Sequence, residues 1–143
     1  MNGIEQELCD MRLSKKCEYA FLAMITLSNN YNQRLSNIAD IAEQNHIPRK
    51  FLEHILTLLK SANYIKSIRG PKGGYSLTRP PSEISLAEIV RLVDGPIAPS
   101  PSVSTYFYDS SPIERNTKVH AVFKDIRDHV SDKLESIHFS DLV

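Results

Sequence analysis

A mainly α-helical chain with one small β-hairpin and a long final helix is the fold class this sequence predicts, on three observations. Apolar residues recur at helical spacing in closely set segments between about Ser14 and Leu59. Two strand-like runs, Tyr64 to Ile68 and Tyr75 to Thr78, then flank Arg69-Gly70-Pro71-Lys72-Gly73-Gly74-Tyr75. Three glycines and a proline suit neither a helix interior nor a regular strand, so this stretch reads as the open turn of a hairpin. Finally, Val119, Val122, Phe123, Ile126, Val130, Leu134 and Ile137 repeat at three- and four-residue steps, the longest helical pattern in the chain.

Each element follows in order. Residues 1–10 are polar and aperiodic and read as a flexible extension. The first helix spans about Ser14 to Leu27, with Cys17, Ala20, Phe21, Met24 and Leu27 on one face. Asn29 to Asn32 ends it. Ser36 is the expected N-cap of a short second helix that turns Ile38, Ile41 and Ala42 inward. Pro48 suits the first position of a third helix, where its missing N–H does no harm. Phe51, Leu52, Ile55, Leu58 and Leu59 form that helix's apolar side, and Arg49, Lys50, Glu53 and His54 face outward. After Pro80-Pro81, Ser85 opens an amphipathic helix (Leu86, Ile89, Val90, Leu92, Val93) that stops at Gly95-Pro96. A Pro/Ser-rich segment, 97–117, carries the aromatic triplet Tyr106, Phe107 and Tyr108. The long helix then runs from about Lys118.

Composition bounds the function. At 143 residues the chain makes one domain of ordinary size, with globular averages of 41% hydrophobic and 24% charged residues. No apolar run approaches the roughly 20 residues of a bilayer span, and no leader pattern opens the sequence. Two cysteines, Cys9 and Cys17, make neither a disulfide framework nor a metal-ligand spacing. The expectation is a soluble, cytoplasmic protein with no membrane partner.

The net charge of zero conceals a segregation. Residues 12–79 hold eleven Lys/Arg against four acids, a net +7; residues 80–143 hold six against ten, a net −4. The first eleven residues add three acids. A basic half beside an acidic half suggests that the basic half meets a polyanion.

Helix, turn, helix and a hairpin tipped by Arg69 and Lys72 is how a winged helix-turn-helix module meets DNA. The opening turn of the third helix would enter the major groove, where Arg49 and Lys50 can address guanine and Glu53 can accept from cytosine. A long amphipathic helix outside so small a domain suits pairing with its copy in a second chain. Catalysis finds no support: no Gly-x-Ser-x-Gly elbow occurs, and the glycine turn lacks the ending of a phosphate loop. The rival class is a winged helix that has turned to protein partners; Arg69, Lys72 and the +7 charge argue against it.

The sequence resembles the Rrf-type family of bacterial winged-helix regulators, the family of the iron–sulfur cluster assembly regulator. The matching pieces are Met11-Arg12-Leu13-Ser14, Glu18-Tyr19-Ala20, Ile38-Ala39 and Phe51-Leu52-Glu53. Arg69 to Tyr75, Asp94-Gly95-Pro96 and His120-Ala121-Val122-Phe123 with Asp125 and Arg127 complete them. The resemblance implies a homodimeric transcription factor, usually a repressor, on a partly palindromic operator. It implies DNA contacts from Lys50, Glu53, Arg69 and Gly70, and phosphate contacts from Arg12, Lys15 and Tyr19.

The sequence departs from the family at the cofactor. Many members carry three cysteines between the Asp-Gly-Pro stretch and the long helix, holding a two-iron, two-sulfur cluster. Here that interval has none; Ser102, Ser110 or Ser111, and Thr117 stand about where thiols are expected. Neutral hydroxyls do not replace thiolates on iron, and His120 alone holds no cluster. The expectation is no cofactor and no metal, with a small molecule, a protein partner or a thiol as the signal. Tyr106, Phe107, Tyr108 and His120 mark the place to look for it.

Overall fold

A computed structural model describes residues 12–143, so the expected extension 1–10 and Cys9 lie outside the described residues. Helix α1 (Lys15–Asn29) is the centre of the molecule, buried along Ala20, Ala23, Met24 and Leu27. Ser14 caps it, its hydroxyl oxygen accepting from the Cys17 N–H at 3.0 Å. Asn32, in the left-handed region at φ 60°, turns the chain away from it.

Helix α2 (Ile38–Asn45) is capped by Asn37, not by the expected Ser36. The Asn37 side chain accepts from the Asp40 N–H at 2.8 Å. Ser36 is drawn elsewhere, because its backbone exchanges two hydrogen bonds with Tyr75, at 3.0 and 2.8 Å. This isolated antiparallel bridge joins the hairpin to the start of α2. The Asn45 amide donates to Thr26 Oγ1 at 2.9 Å and pins α2 to α1. His46, in the left-handed region at φ 52°, ends α2 sharply.

Helix α3 (Arg49–Ser61) begins one residue later than expected, so Pro48 is its cap rather than its first residue. Leu52, Ile55, Leu56 and Leu59 are buried against α1 and α2. Phe51, expected on the apolar side, is 41% exposed, because four inward positions already fill that stripe.

Strands β1 (Ile65–Ile68) and β2 (Gly74–Leu77) pair antiparallel, with Ile65 opposite Leu77 and Ile68 opposite Gly74. Ile65 and Leu77 point into the core and anchor the hairpin's base. Its tip has no such anchor. Helix α4 (Leu86–Val93) opens on a full capping box: Glu88 N–H donates to the Ser85 hydroxyl, and Ser85 N–H to the Glu88 carboxylate. Arg79 pairs with Glu88 at 3.1 Å and lies over the Tyr64 ring, joining hairpin to α4.

The segment between α4 and α5 (Thr117–Ser136) contains two 3₁₀ turns, Pro101–Val103 and Pro112–Arg115. Arg127 of α5 donates to the Val103 carbonyl at 2.7 Å and holds the first turn. Helix α5 ends at Ser136, and the chain then returns to the core. Ile137 and Ile84 carbonyls accept from Leu86 and Phe139 N–H at 2.9 and 3.0 Å. Phe139 is fully buried, its ring 6.3 Å from that of Phe21.

Candidate nucleic-acid interface

The wing is a hairpin whose exposed tip carries Arg69, Gly70, Pro71 and Lys72. Its shape depends on glycine. Gly70 stands at φ +113°, a conformation side chains rarely adopt, and its carbonyl accepts from the Gly73 N–H at 2.9 Å. A Cβ on Gly73 would come within 2.0 Å of the Ile68 carbonyl oxygen, so the turn closes only without one. The two cations therefore project from a fixed turn whose base is set in the core.

On α3, Arg49, Lys50, Glu53 and His54 are exposed as the helical period requires. Arg49 and Glu53 approach to 3.8 Å with side chains 63% and 57% exposed. Such a pair is worth about 0.2–1 kcal/mol at most, so both remain available to another partner. Tyr19 of α1 meets Phe51 edge to face at 5.6 Å, which sets α1 beside the opening turn of α3.

At the start of α1, Lys15 is exposed. An acidic side chain already serves this helix terminus: the Asp94 carboxylate accepts from the Ser14 N–H at 2.8 Å and from its hydroxyl. Arg12 lines a cavity with Asp94 and Arg127, beside α5.

Sequence reasoning missed the roles of five residues at this surface. Asp94 was matched as part of Asp-Gly-Pro, but nothing local reveals that it caps α1. Ser36 and Tyr75 form a bridge that no period encodes. Arg34 and Lys66, both exposed, share a groove under the wing; a polar position on a strand's outer face was the available signal for Lys66.

Of the expected effector residues, Tyr108 and His120 both act on Glu114, and Tyr106 and Phe107 stand on the same exposed loop. Tyr106, Phe107 and Tyr108 are 69%, 53% and 61% exposed. The Arg91 guanidinium lies over the Tyr106 ring at 5.0 Å, and Tyr108 donates to Glu114 at 2.6 Å. His120 sits at the start of α5 with its Nε2 buried and unpaired.

A short second helix, a third helix with exposed cations and a glycine-turned basic hairpin define a winged helix-turn-helix protein. The family model for Rrf2, described as an iron-dependent transcriptional regulator, matches residues 13–143, and the chain belongs to this family. It is 37% identical over 120 residues to an rrf2-like HTH-type transcriptional regulator of Rhodobacter capsulatus, covering 80% of each chain. It is 32% identical to the HTH-type transcriptional regulator CymR of Bacillus subtilis, over 92% of this chain and 89% of that one. The solved structure of that CymR, titled the global cysteine regulator, superposes with a TM-score of 0.75 at 31% identity, covering 92% and 95% of the chains. The chain is a transcriptional regulator of the helix-turn-helix class and not an enzyme. No described helix is long and apolar enough to cross a membrane.

The family's description raises iron, and the donor set does not fit it. The Ser102 and Ser111 hydroxyls lie 2.5 Å apart, and Ser100 Oγ is 3.3 and 3.0 Å from them. These hydroxyls satisfy one another, and none is a thiolate. Among the described residues no group of three His, Cys, Asp or Glu is placed to hold a metal ion. Cys17 is buried in α1, its thiol pushed up to about 12 by burial, with Asp94 adding to the effect. It carries almost no thiolate at neutral pH.

Proposed function

We propose that two copies of this chain form a twofold dimer that binds a partly palindromic operator and represses transcription in the cytoplasm, without an iron–sulfur cluster. Residues 11–80 are the DNA-binding unit, 81–96 the connecting helix, 97–117 the loop and 118–143 the dimer helix with its tail. The observation that carries DNA binding is the exposed opening turn of α3 together with a wing whose Arg69 and Lys72 are exposed. Arg49, Lys50 and Glu53 read base edges in the major groove. Arg69, Gly70 and Lys72 follow the minor groove or its phosphates; Arg12, Lys15 and Tyr19 hold the backbone. The dimer rests on α5, whose Val119, Val122, Ile126 and Val130 are all exposed in the single chain.

Fluorescence anisotropy on duplexes enriched from genomic fragments of the host tests this. Affinity should fall steeply with added salt, since each phosphate contact releases counterions. Arg69→Ala should weaken binding by about 1–3 kcal/mol, a factor of roughly 5–150. Binding indifferent to both salt and sequence would sink the regulator reading.

A further inference from the structure

The wing hairpin carries a cation that its tip does not account for. Side chains alternate along a strand, so Lys66 and Ile68 point to the side opposite Ile65. Ile65 enters the core that Leu52, Leu56 and Leu59 of α3 help to build, so Lys66 lies on the face turned away from that core. Beside this face runs the turn between α1 and α2. The two enclose a groove lined by Gln33, Arg34, Lys66, Ile68, Ser76 and Thr78, among others. Among the described residues no acidic side chain lines it, and neither Arg34 nor Lys66 makes an ion pair.

Arg34 is tied to the same sheet. Its Nε donates to the Asn30 side-chain oxygen at 3.2 Å, and the Asn30 amide donates to the Ser36 hydroxyl at 2.8 Å. Ser36 in turn exchanges two backbone hydrogen bonds with Tyr75 of β2. The guanidinium is therefore carried with the hairpin, and its partner is a neutral amide that leaves the charge uncancelled.

We propose that Arg34 and Lys66 hold the phosphates of a DNA strand along the outer side of the wing, beyond the groove that Arg69 and Lys72 follow. The inference rests on the DNA-binding reading above and lengthens its footprint. Two exposed cations with no acid between them suit a polyanion. Lys66 precedes Arg69 by three residues, about 10 Å along a strand at ~3.3 Å each. Phosphates of one DNA strand follow every ~3.4 Å of axis, so tip and groove address phosphates about three steps apart. A free phosphate ion is the weaker match, because both cations are open to solvent rather than closed around a buried site. Phosphate contacts carry no base information, so this pair adds affinity without sequence preference.

Salt titrations of duplex binding on the full chain compare the unaltered protein with the double variant Arg34→Gln, Lys66→Gln. The variant should lower the slope of log K against log salt by about one for each cation removed. It should weaken operator and random duplex by the same factor. Its hydroxyl-radical footprint should shrink by about three base pairs at each outer edge. Restoring the charges through Arg34→Lys with Lys66→Arg should recover both slope and footprint. A slope or a footprint unmoved by the double variant would overturn the proposal. Were both unmoved while inorganic phosphate saturably shifted the NMR signals of Arg34 and Lys66, the groove would belong to a free anion instead. Should the unaltered chain bind no duplex, the DNA-binding reading falls and this contact with it. A chain that binds with both readouts unmoved loses this contact alone.

Discussion

Single side chains set the tolerances of this molecule, and the Tyr108–Glu114 pair shows how. The Tyr108 hydroxyl bond holds the Glu114 carboxyl below its ordinary 4.5, outweighing an opposing burial effect, with Ser110, the Ser111 N–H and His120 adding to it. The same bond raises Tyr108 above 10.0, so both partners describe a neutral phenol on a charged carboxylate. The sign follows from each shift. Glu114, lowered on folding, contributes above 4.5 and loses its contribution as pH falls through the lowered value. Tyr108, raised on folding, contributes below 10.0 and loses its contribution as pH rises through the raised value. Carboxyl-carbon NMR should therefore find Glu114 titrating below 4.5, moving back toward 4.5 in Tyr108→Phe. A midpoint at 4.5 in the unaltered protein would show that the clasp does not form. The cap on α2 was less legible at this scale. Ser36 and Asn37 both suit an N-cap; Tyr75 pairs with the Ser36 backbone and the Asn30 amide donates to its hydroxyl, so only Asn37 keeps its side chain for the Asp40 N–H.

Among the elements, those with a full period were readable and those set by tertiary pairing were not. The inward face of α3 and the Ser85 start of α4 follow from spacing and cap chemistry, which act within one turn of helix. The hairpin follows from glycine, whose necessity at Gly73 is a matter of one missing Cβ. The exposed cations proposed to face DNA stand where that periodic helix and that turn must point outward. Loop 97–117 read as a linker because Pro and Ser have no period. It is held instead by Arg127 on the Val103 carbonyl and by Arg91, which donates to Glu135 at 2.6 Å and to Ser131 at 3.1 Å while covering Tyr106. The tail was illegible for another reason: His138 to Leu142 is too short to show a period, yet Phe139 is a core residue. Removing its ring should therefore act as a core deletion. Phe139→Ala should lower stability by about 3–5 kcal/mol in urea unfolding. A loss within about 0.5 kcal/mol, the range of ordinary surface changes, would place the tail outside the folded core.

For the whole molecule, the governing fact is that a 20-residue helix contributes no buried residue to its own chain. Helix α5 spans about 30 Å at 1.5 Å per residue. It is held at one side by Arg91 and Arg127, and its tail by Phe139, while Val119, Val122, Ile126 and Val130 stay open to solvent. In the dimer proposed above this apolar row pairs with its own copy, and twofold pairing makes every contact twice. Two DNA-binding units would then be spaced by the helices rather than by flexible linkers, which suits half-sites a fixed number of helical turns apart. Ile126→Glu tests the arrangement with little risk to the fold, because Ile126 is 37% exposed. In the dimer the same change would bury two carboxylates against apolar neighbours, a heavy penalty unless they remain protonated. Sedimentation should show the unaltered chain as a dimer and Ile126→Glu as a folded monomer of 16.2 kDa. The monomer should keep weak, salt-sensitive binding to single half-sites and lose its preference for palindromic spacing, since only the linked pair enjoys the second contact at high effective concentration. A variant that stays dimeric would move the interface off α5, and a monomer that still selects the full palindrome would uncouple operator choice from dimer geometry.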